Sequence, residues 1–203
     1  EDTLGMFIDC EYPMIATARL SGMMLDYPKL LDKGIGGLRS DLQEKLKEQP
    51  DNNFYKAGIQ CLDIFVDCAS HLQQDAREQM ASANMKRQKE LERICQALEN
   101  IKEKKPGTFH EAMQLFWLFA LLAGVINYGR LDDYLGPYLV ADLKSGRLTD
   151  EEAYRYIHSL WTMIENRRTT VNGRIIVGGK GRKHPKEADV FLHIAMKVAK
   201  NCR

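Results

Sequence analysis

The sequence predicts a predominantly α-helical fold with a few β-strands. Three observations carry this. Apolar side chains recur every three or four residues over most of the chain, helix-start signatures stand at Asn84, Thr108 and Thr149, and only TTVNGRIIVGG reads clearly as a strand. The elements follow in order.

The opening EDTLGMFIDCEYPMIAT reads as extended or irregular from its aromatic and β-branched content. Pro28, Gly34, Gly36 and Gly37 punctuate the next stretch, so an irregular entry is expected over residues 1–36 and a helix from about Gly37 to Pro50. From Phe54, the positions Cys61, Phe65, Cys68, Leu72, Ala76, Met80 and Ala83 have the spacing of one buried helical face. Asn84 opens a further helix through Leu98, with Leu91, Ile94, Cys95 and Leu98 inward and KRQKELER toward water.

Thr108 and Glu111 fit a capping box, in which side-chain oxygens satisfy the free amides of a first helical turn. The helix they open is apolar almost all round, which demands cover on most sides. Thr149 and Glu152 form a second such box, ahead of a stripe of Ala153, Tyr156, Ile157, Leu160, Trp161 and Ile164. Pro185 suits the first turn of a last helix running toward Cys202. A lone strand RIIVGG cannot satisfy its own backbone, so its partners are expected elsewhere, whether in this chain or in sequence beyond it.

Composition excludes several classes. The 203 residues carry 29 basic and 28 acidic side chains, a net charge of +1. That offers no field for nucleic acid or an anionic membrane. The apolar run Leu115–Ile126 is shorter than the roughly 20 residues of a membrane span, and no signal peptide is legible. Cys10, Cys61, Cys68, Cys95 and Cys202 are odd in number with no C-x-x-C pair, against a disulfide framework or a zinc site. Cys61, Cys68 and Cys95 are expected as inert packing on apolar helix faces. Reduced cytoplasm is the expected compartment.

No G-x-S-x-G, H-E-x-x-H, phosphate loop or G-x-G-x-x-G after a strand occurs. The five histidines are scattered, and His110, in a first helical turn, is expected to be neutral or solvated. GGKGRKHP reads as an exposed loop, although its amides and cations could also take an anion. In NYGRLDDYL, residues 127–135, the Arg130 guanidinium beside a buried helix end requires an acid. Asp132, Asp133 or a more distant carboxylate could supply it, and contact with a substrate anion is the other reading.

These residues resemble a known family. KPGTFHEAMQLFWLFALLAGVINYGRLDDYLGPYLVADLKSGRLTDEEAYRYIHSLWTMI is similar to the segment of glycyl radical enzymes, the pyruvate formate-lyase-like group, that reads Pro-x-x-Thr-Phe-x-Glu-Ala. An apolar helix follows there, then Gly-Arg-x-Asp-x-Tyr-x-x-Pro-Tyr, then Asp-Leu-x-x-Gly-x-Leu-Thr-x-Glu-Glu-Ala. DYPKLLDKGIGGL resembles an upstream segment of that family and RIIVGGKGR a later strand, so the likeness runs in register over about residues 20–200.

The resemblance implies one partial domain over residues 1–203: an irregular entry (1–36), a helical part (37–126) and a strand–helix portion (127–203) of a ten-stranded α/β barrel. In such enzymes a C-terminal glycine stores a backbone radical, and a central cysteine becomes the thiyl that abstracts hydrogen from substrate. Neither the Gly-Cys-x-Glu nor the Arg-Val-x-Gly-Tyr context occurs here. The chain is therefore expected to be a fragment upstream of the thiyl cysteine, with no catalytic residue, metal or cofactor of its own, and inactive alone.

For the full-length protein the resemblance implies a radical lyase or acyltransferase of anaerobic metabolism, acting on a small organic substrate. It implies a cytoplasmic homodimer, activated by a partner that uses S-adenosylmethionine and an iron–sulfur cluster. Gly124, Val125 and Asn127 would line the substrate cavity, with Arg130 and Asp132 as structural or anion contacts. Diol dehydratases of the family commonly have His-Ser where Gly124 and Val125 stand, whereas the ketoacid lyase has two small apolar residues. A wall without donors leaves a substrate hydroxyl unpaired at roughly 1–3 kcal/mol, which disfavours polyol dehydration. The alternative is a stand-alone helical binding or scaffold module without the radical apparatus.

Overall fold

A computed structural model describes residues 23–167 and 174–201. Among them lie α1 (Tyr27–Glu48), α2 (Asn53–Met80), α3 (Met85–Ile101), α4 (Phe109–Leu122), β1 (Asn127–Arg130), α5 (Leu131–Lys144), α6 (Asp150–Asn166), β2 (Arg174–Ile176) and α7 (Pro185–Asn201). The predominantly α class with few strands holds. The opening segment through Gly22, the first part of TTVNGRIIVGG and Cys202 lie outside the described residues.

Most helix starts follow the caps written in the sequence. Asn52 and Asn84 accept amide protons of the turns they open, and Thr149 with Glu152 closes a complete capping box. The other box is half formed. Thr108 Oγ1 accepts from the Glu111 amide at 3.2 Å, but the Glu111 carboxylate turns to the Gly107 amide at 2.7 Å and to Asn100 Nδ2 at 2.7 Å.

The first helix begins earlier than expected. Asp26 caps it through the Lys29 amide and Pro28 lies in its first turn, so helix starts at Tyr27 and not near Gly37. The glycines kink it without abolishing it. Gly34, at φ 65°, breaks the helical run, and a Cβ there would sit 2.6 Å from the Lys105 amide nitrogen.

The buried face of α2 is also rotated from expectation. Leu62, Phe65, Ala69, Gln73 and Ala76 face inward, while Cys61 and Leu72 are exposed. The reason is Gln73, a polar residue held in the core because its amide donates to the Cys95 carbonyl at 2.9 Å and accepts from Lys102 Nζ at 2.9 Å. Of the cysteines expected as core packing, Cys95 is buried, Cys68 half-buried and Cys61 in solvent.

The strand partner lies within this chain. β1 and β2 pair in parallel, with Asn127 opposite Arg174 and Arg130 opposite Ile176, and Met24 bridges Asn127 on the other side. The register slips between Asn127 and Gly129, as a bulge does. The described residues form this two-stranded sheet and not a barrel. Around it α4, α5 and α7 pack one core with α1 and α6, and α5 meets α7 so closely that a Cβ on Gly136 would lie 2.8 Å from the Glu187 carbonyl oxygen.

Candidate functional site

The chain leaves α4 through a turn that requires glycine. The Gly124 amide donates to the Leu121 carbonyl and the Val125 amide to the Ala120 carbonyl, both at 3.1 Å, with Gly124 at φ 65°. This is the Schellman pattern of helix ends, with Gly124 in the left-handed position. It delivers Val125 and Ile126 into the core and Asn127 to the start of β1.

Four consecutive carbonyls from Val125 to Tyr128 are then each taken by a different donor. Arg167 Nη1 donates to Val125 O at 2.8 Å and the Arg174 amide to Ile126 O at 2.9 Å. The Tyr27 hydroxyl reaches Asn127 O at 3.5 Å and the Tyr134 hydroxyl Tyr128 O at 2.7 Å. Arg167 also donates to the Tyr128 hydroxyl at 2.9 Å. Burial pushes the Tyr27 and Tyr134 phenols well above their ordinary range, so both stay protonated and able to donate. Phe116 fills the space among Tyr27, Tyr128 and Tyr134 with edge and tilted ring contacts.

At the carboxyl ends of the strands, where parallel α/β folds place their ligand sites, the acids of NYGRLDDYL meet GGKGRKHP. Asp132, with no solvent exposure, accepts the Gly178 amide at 2.7 Å and lies 3.5 Å from Arg182 Nη1. Asp133 accepts the Lys183 and His184 amides at 3.1 and 2.9 Å, just ahead of α7. The anion that this loop takes is thus the chain's own pair of carboxylates.

Of the acids open to Arg130, the two nearest in sequence are engaged by the loop after β2. Among the described residues Arg130 forms no ion pair with Asp132 or Asp133; Arg182 is the cation at Asp132 because the loop carries it there. Among the described residues, Arg130 Nη1 and Asp132 Oδ1 are both buried without hydrogen-bond partners. A Cβ on Gly179 would lie 4.0 Å from Arg130 Nη2, an ordinary contact, so the backbone φ of 81° and not the space beside the guanidinium favours glycine there.

Gly124, Val125, Asn127 and Arg130 thus follow one path along the α4–β1 connection, while Asp132 joins the loop after β2. The Val125 side chain is buried and Gly124 and Asn127 are half-buried; Asn127 Oδ1 accepts the Gly129 amide at 3.2 Å. Two surface clefts, one among α3, α4 and α6 and one between α1 and α5, contain none of the three. Sequence reasoning missed Arg167, Tyr27 and Tyr134 because nothing local marks a side chain that caps a carbonyl 42, 100 or 6 residues away. Arg182 had one signal, its place in the glycine-rich basic loop. Among the described residues no group of three or more His, Cys, Asp or Glu side chains is arranged to hold a metal ion, and no helix is long and apolar enough to cross a membrane.

Comparison with known proteins decides the family. The family model described as Pyruvate formate lyase-like matches residues 8–203. The chain belongs to the pyruvate formate lyase-like family. Its relatives include the probable dehydratase YbiW of Escherichia coli K12, 28% identical across 79% of this chain and 23% of that protein. The (2S)-3-sulfopropanediol dehydratase of Klebsiella oxytoca is 30% identical across 71% of this chain and 19% of that protein. The isethionate sulfite-lyase of Oleidesulfovibrio alaskensis is 28% identical across 67% and 18%.

A solved glycyl radical enzyme from Archaeoglobus fulgidus superposes with a TM-score of 0.71 at 20% identity, covering 88% of this chain and 27% of that one. The hydroxyproline dehydratase of Clostridioides difficile does so at 0.67 and 18%, covering 84% and 26%; these two likenesses show the fold. This pyruvate formate lyase-like chain therefore spans about a fifth of the length of the curated relatives it matches.

Proposed function

We propose that this chain is part of a glycyl radical enzyme that eliminates a small group from a small organic substrate. The observation that carries the reading is the family match over residues 8–203 together with relatives named as dehydratases and sulfite-lyases. Elimination is preferred to acyl transfer because none of these relatives is named for acyl transfer. The described residues fix the α4–β1 connection, with Gly124 and Asn127 toward the substrate, the Val125 side chain packed into the core between them, and Arg130 and Asp132 bracing the strand ends.

In the whole enzyme the hydrogen-abstracting cysteine and the radical glycine lie outside these 203 residues. A partner carrying an iron–sulfur cluster and S-adenosylmethionine installs the radical. The enzyme is a cytoplasmic homodimer of anaerobic metabolism, with part of its ten-stranded barrel built from β1 and β2.

The test is electron paramagnetic resonance of the native polypeptide after anaerobic incubation with an activating enzyme, S-adenosylmethionine and reductant. A glycyl doublet that disappears in air, with cleavage of the chain at that glycine, is the expected result. A native polypeptide that ends with this chain and gives no signal overturns the reading in favour of a stand-alone helical binding or scaffold module.

A further inference from the structure

A cleft of about 480 Å³ lies where α3, α4 and α6 converge, away from the α4–β1 connection. His110 and Trp117 of α4 and Tyr156 and Met163 of α6 line it, two turns of one face from each helix. The His110 ring stacks on Tyr156 with centroids 4.9 Å apart and planes inclined by 22°. Burial also pushes the imidazole down to about 4, so at neutral pH it is an uncharged flat surface with hydrogen-bonding nitrogens, one of them 3.3 Å from Gln114 Nε2.

The charges around the rim are uneven. Arg93 of α3 pairs with Glu152 of α6 at 3.3 Å, tying one end of the cleft, and Arg87 pairs with Glu90 at 3.0 Å. Arg155, exposed on α6, forms no ion pair among the described residues. The lining thus has one cation in excess over aromatic and thioether walls. The three helices offer no free backbone edge along the cleft, which disfavours addition of a strand, and the volume lies within the roughly 300–1,000 Å³ of small-ligand sites.

We propose that this cleft binds a small planar aromatic monocarboxylate, its ring against the His110–Tyr156 stack and the Trp117 indole, its carboxylate on Arg155. A planar ring satisfies the aromatic walls by offset stacking, and a single negative charge matches the surplus guanidinium, whose forked donors suit a carboxylate. The site is separate from the substrate path along Gly124, Val125 and Asn127, and the inference does not rest on the proposed activity.

Benzoate is the probe and benzamide its uncharged control, titrated into the full native polypeptide by calorimetry while the His110 ring proton is followed by NMR. The expected result is saturable benzoate binding with one site per chain and a ring-current shift of the His110 resonance. Benzamide binds at least about tenfold more weakly, and Arg155→Met weakens benzoate about tenfold without altering benzamide. Arg155 is a surface residue, so this variant keeps its fold. Equal affinity for the two compounds, indifference to Arg155→Met, or no saturable binding at millimolar concentration overturns the proposal. The last result is also what a cleft filled by other parts of the polypeptide would give.

Discussion

The Asp132 carboxylate holds the Gly178 amide at 2.7 Å across 46 residues of sequence and joins the helix after β1 to the loop after β2. Because Asp132 is fully buried, Asp132→Ala leaves that amide without an acceptor, and the expected loss is about 1–3 kcal/mol. Asp132→Asn keeps an oxygen for the amide and loses only the charge facing Arg182, so its loss is smaller. Urea unfolding of both variants, with hydrogen exchange at Gly178, checks the order. Equal losses would mean that charge and not the amide contact dominates.

The α5–α7 crossing depends on a missing side chain. Gly136→Ala places a methyl 2.8 Å from the Glu187 carbonyl oxygen, on backbone that cannot rotate away. Overpacking of this kind costs about 1–3 kcal/mol, even though alanine is the better helix former by about 1 kcal/mol. A lower urea midpoint is expected. An unchanged or higher midpoint would show that the helices separate freely.

His110 makes stability depend on pH. Its folded-state value of about 4 lies below the ordinary 6.5, so the unfolded chain takes up the proton first as pH falls. Stability is whole above about 6.5 and is lost progressively toward 4, by about 3 kcal/mol in total. His110→Phe preserves a ring against Tyr156 and removes the titration. The difference in unfolding free energy between the two proteins should shift across that window; a constant difference refutes the assignment.

Leu121 and Leu122, 40% and 46% exposed at the end of α4, sit beside each other in solvent. Exposed apolar surface drives association, so the isolated 203-residue chain is expected to self-associate. The Leu121→Ser, Leu122→Ser double variant should raise the monomer fraction in sedimentation velocity. A clean monomer of the unaltered chain, with little apolar-dye binding, contradicts this.

Much of the helical layout was legible, because Asn84 and Thr149 cap within three residues of the amides they serve. The departures come from interactions that local sequence does not contain. NYGR, with Asn and Gly in four positions, has little strand propensity and is extended because Arg174–Ile176 and Met24 pair with it. Gln73 entered the core against its polarity because Cys95, Glu99 and Lys102 of the neighbouring segment meet its amide. Arg130 invited pairing with the acids beside it in sequence, but the loop after β2 brought Arg182 to Asp132. The family resemblance was legible from motif order alone, while the geometry of Arg167, Tyr27 and Tyr134 had no local trace.

The side-chain anchoring of β1 bears on the order in which such a protein assembles. Sheet strands ordinarily gain their backbone partners from other strands, contacts that close long loops and form slowly. Here Tyr27, Tyr134 and Arg167, carried by or flanking helices, occupy three of the four carbonyls from Val125 to Tyr128. Helices form from local contacts on microsecond timescales and can bring those donors together early. β1 is then a prepositioned template: strands made later in synthesis add to an edge already fixed in place.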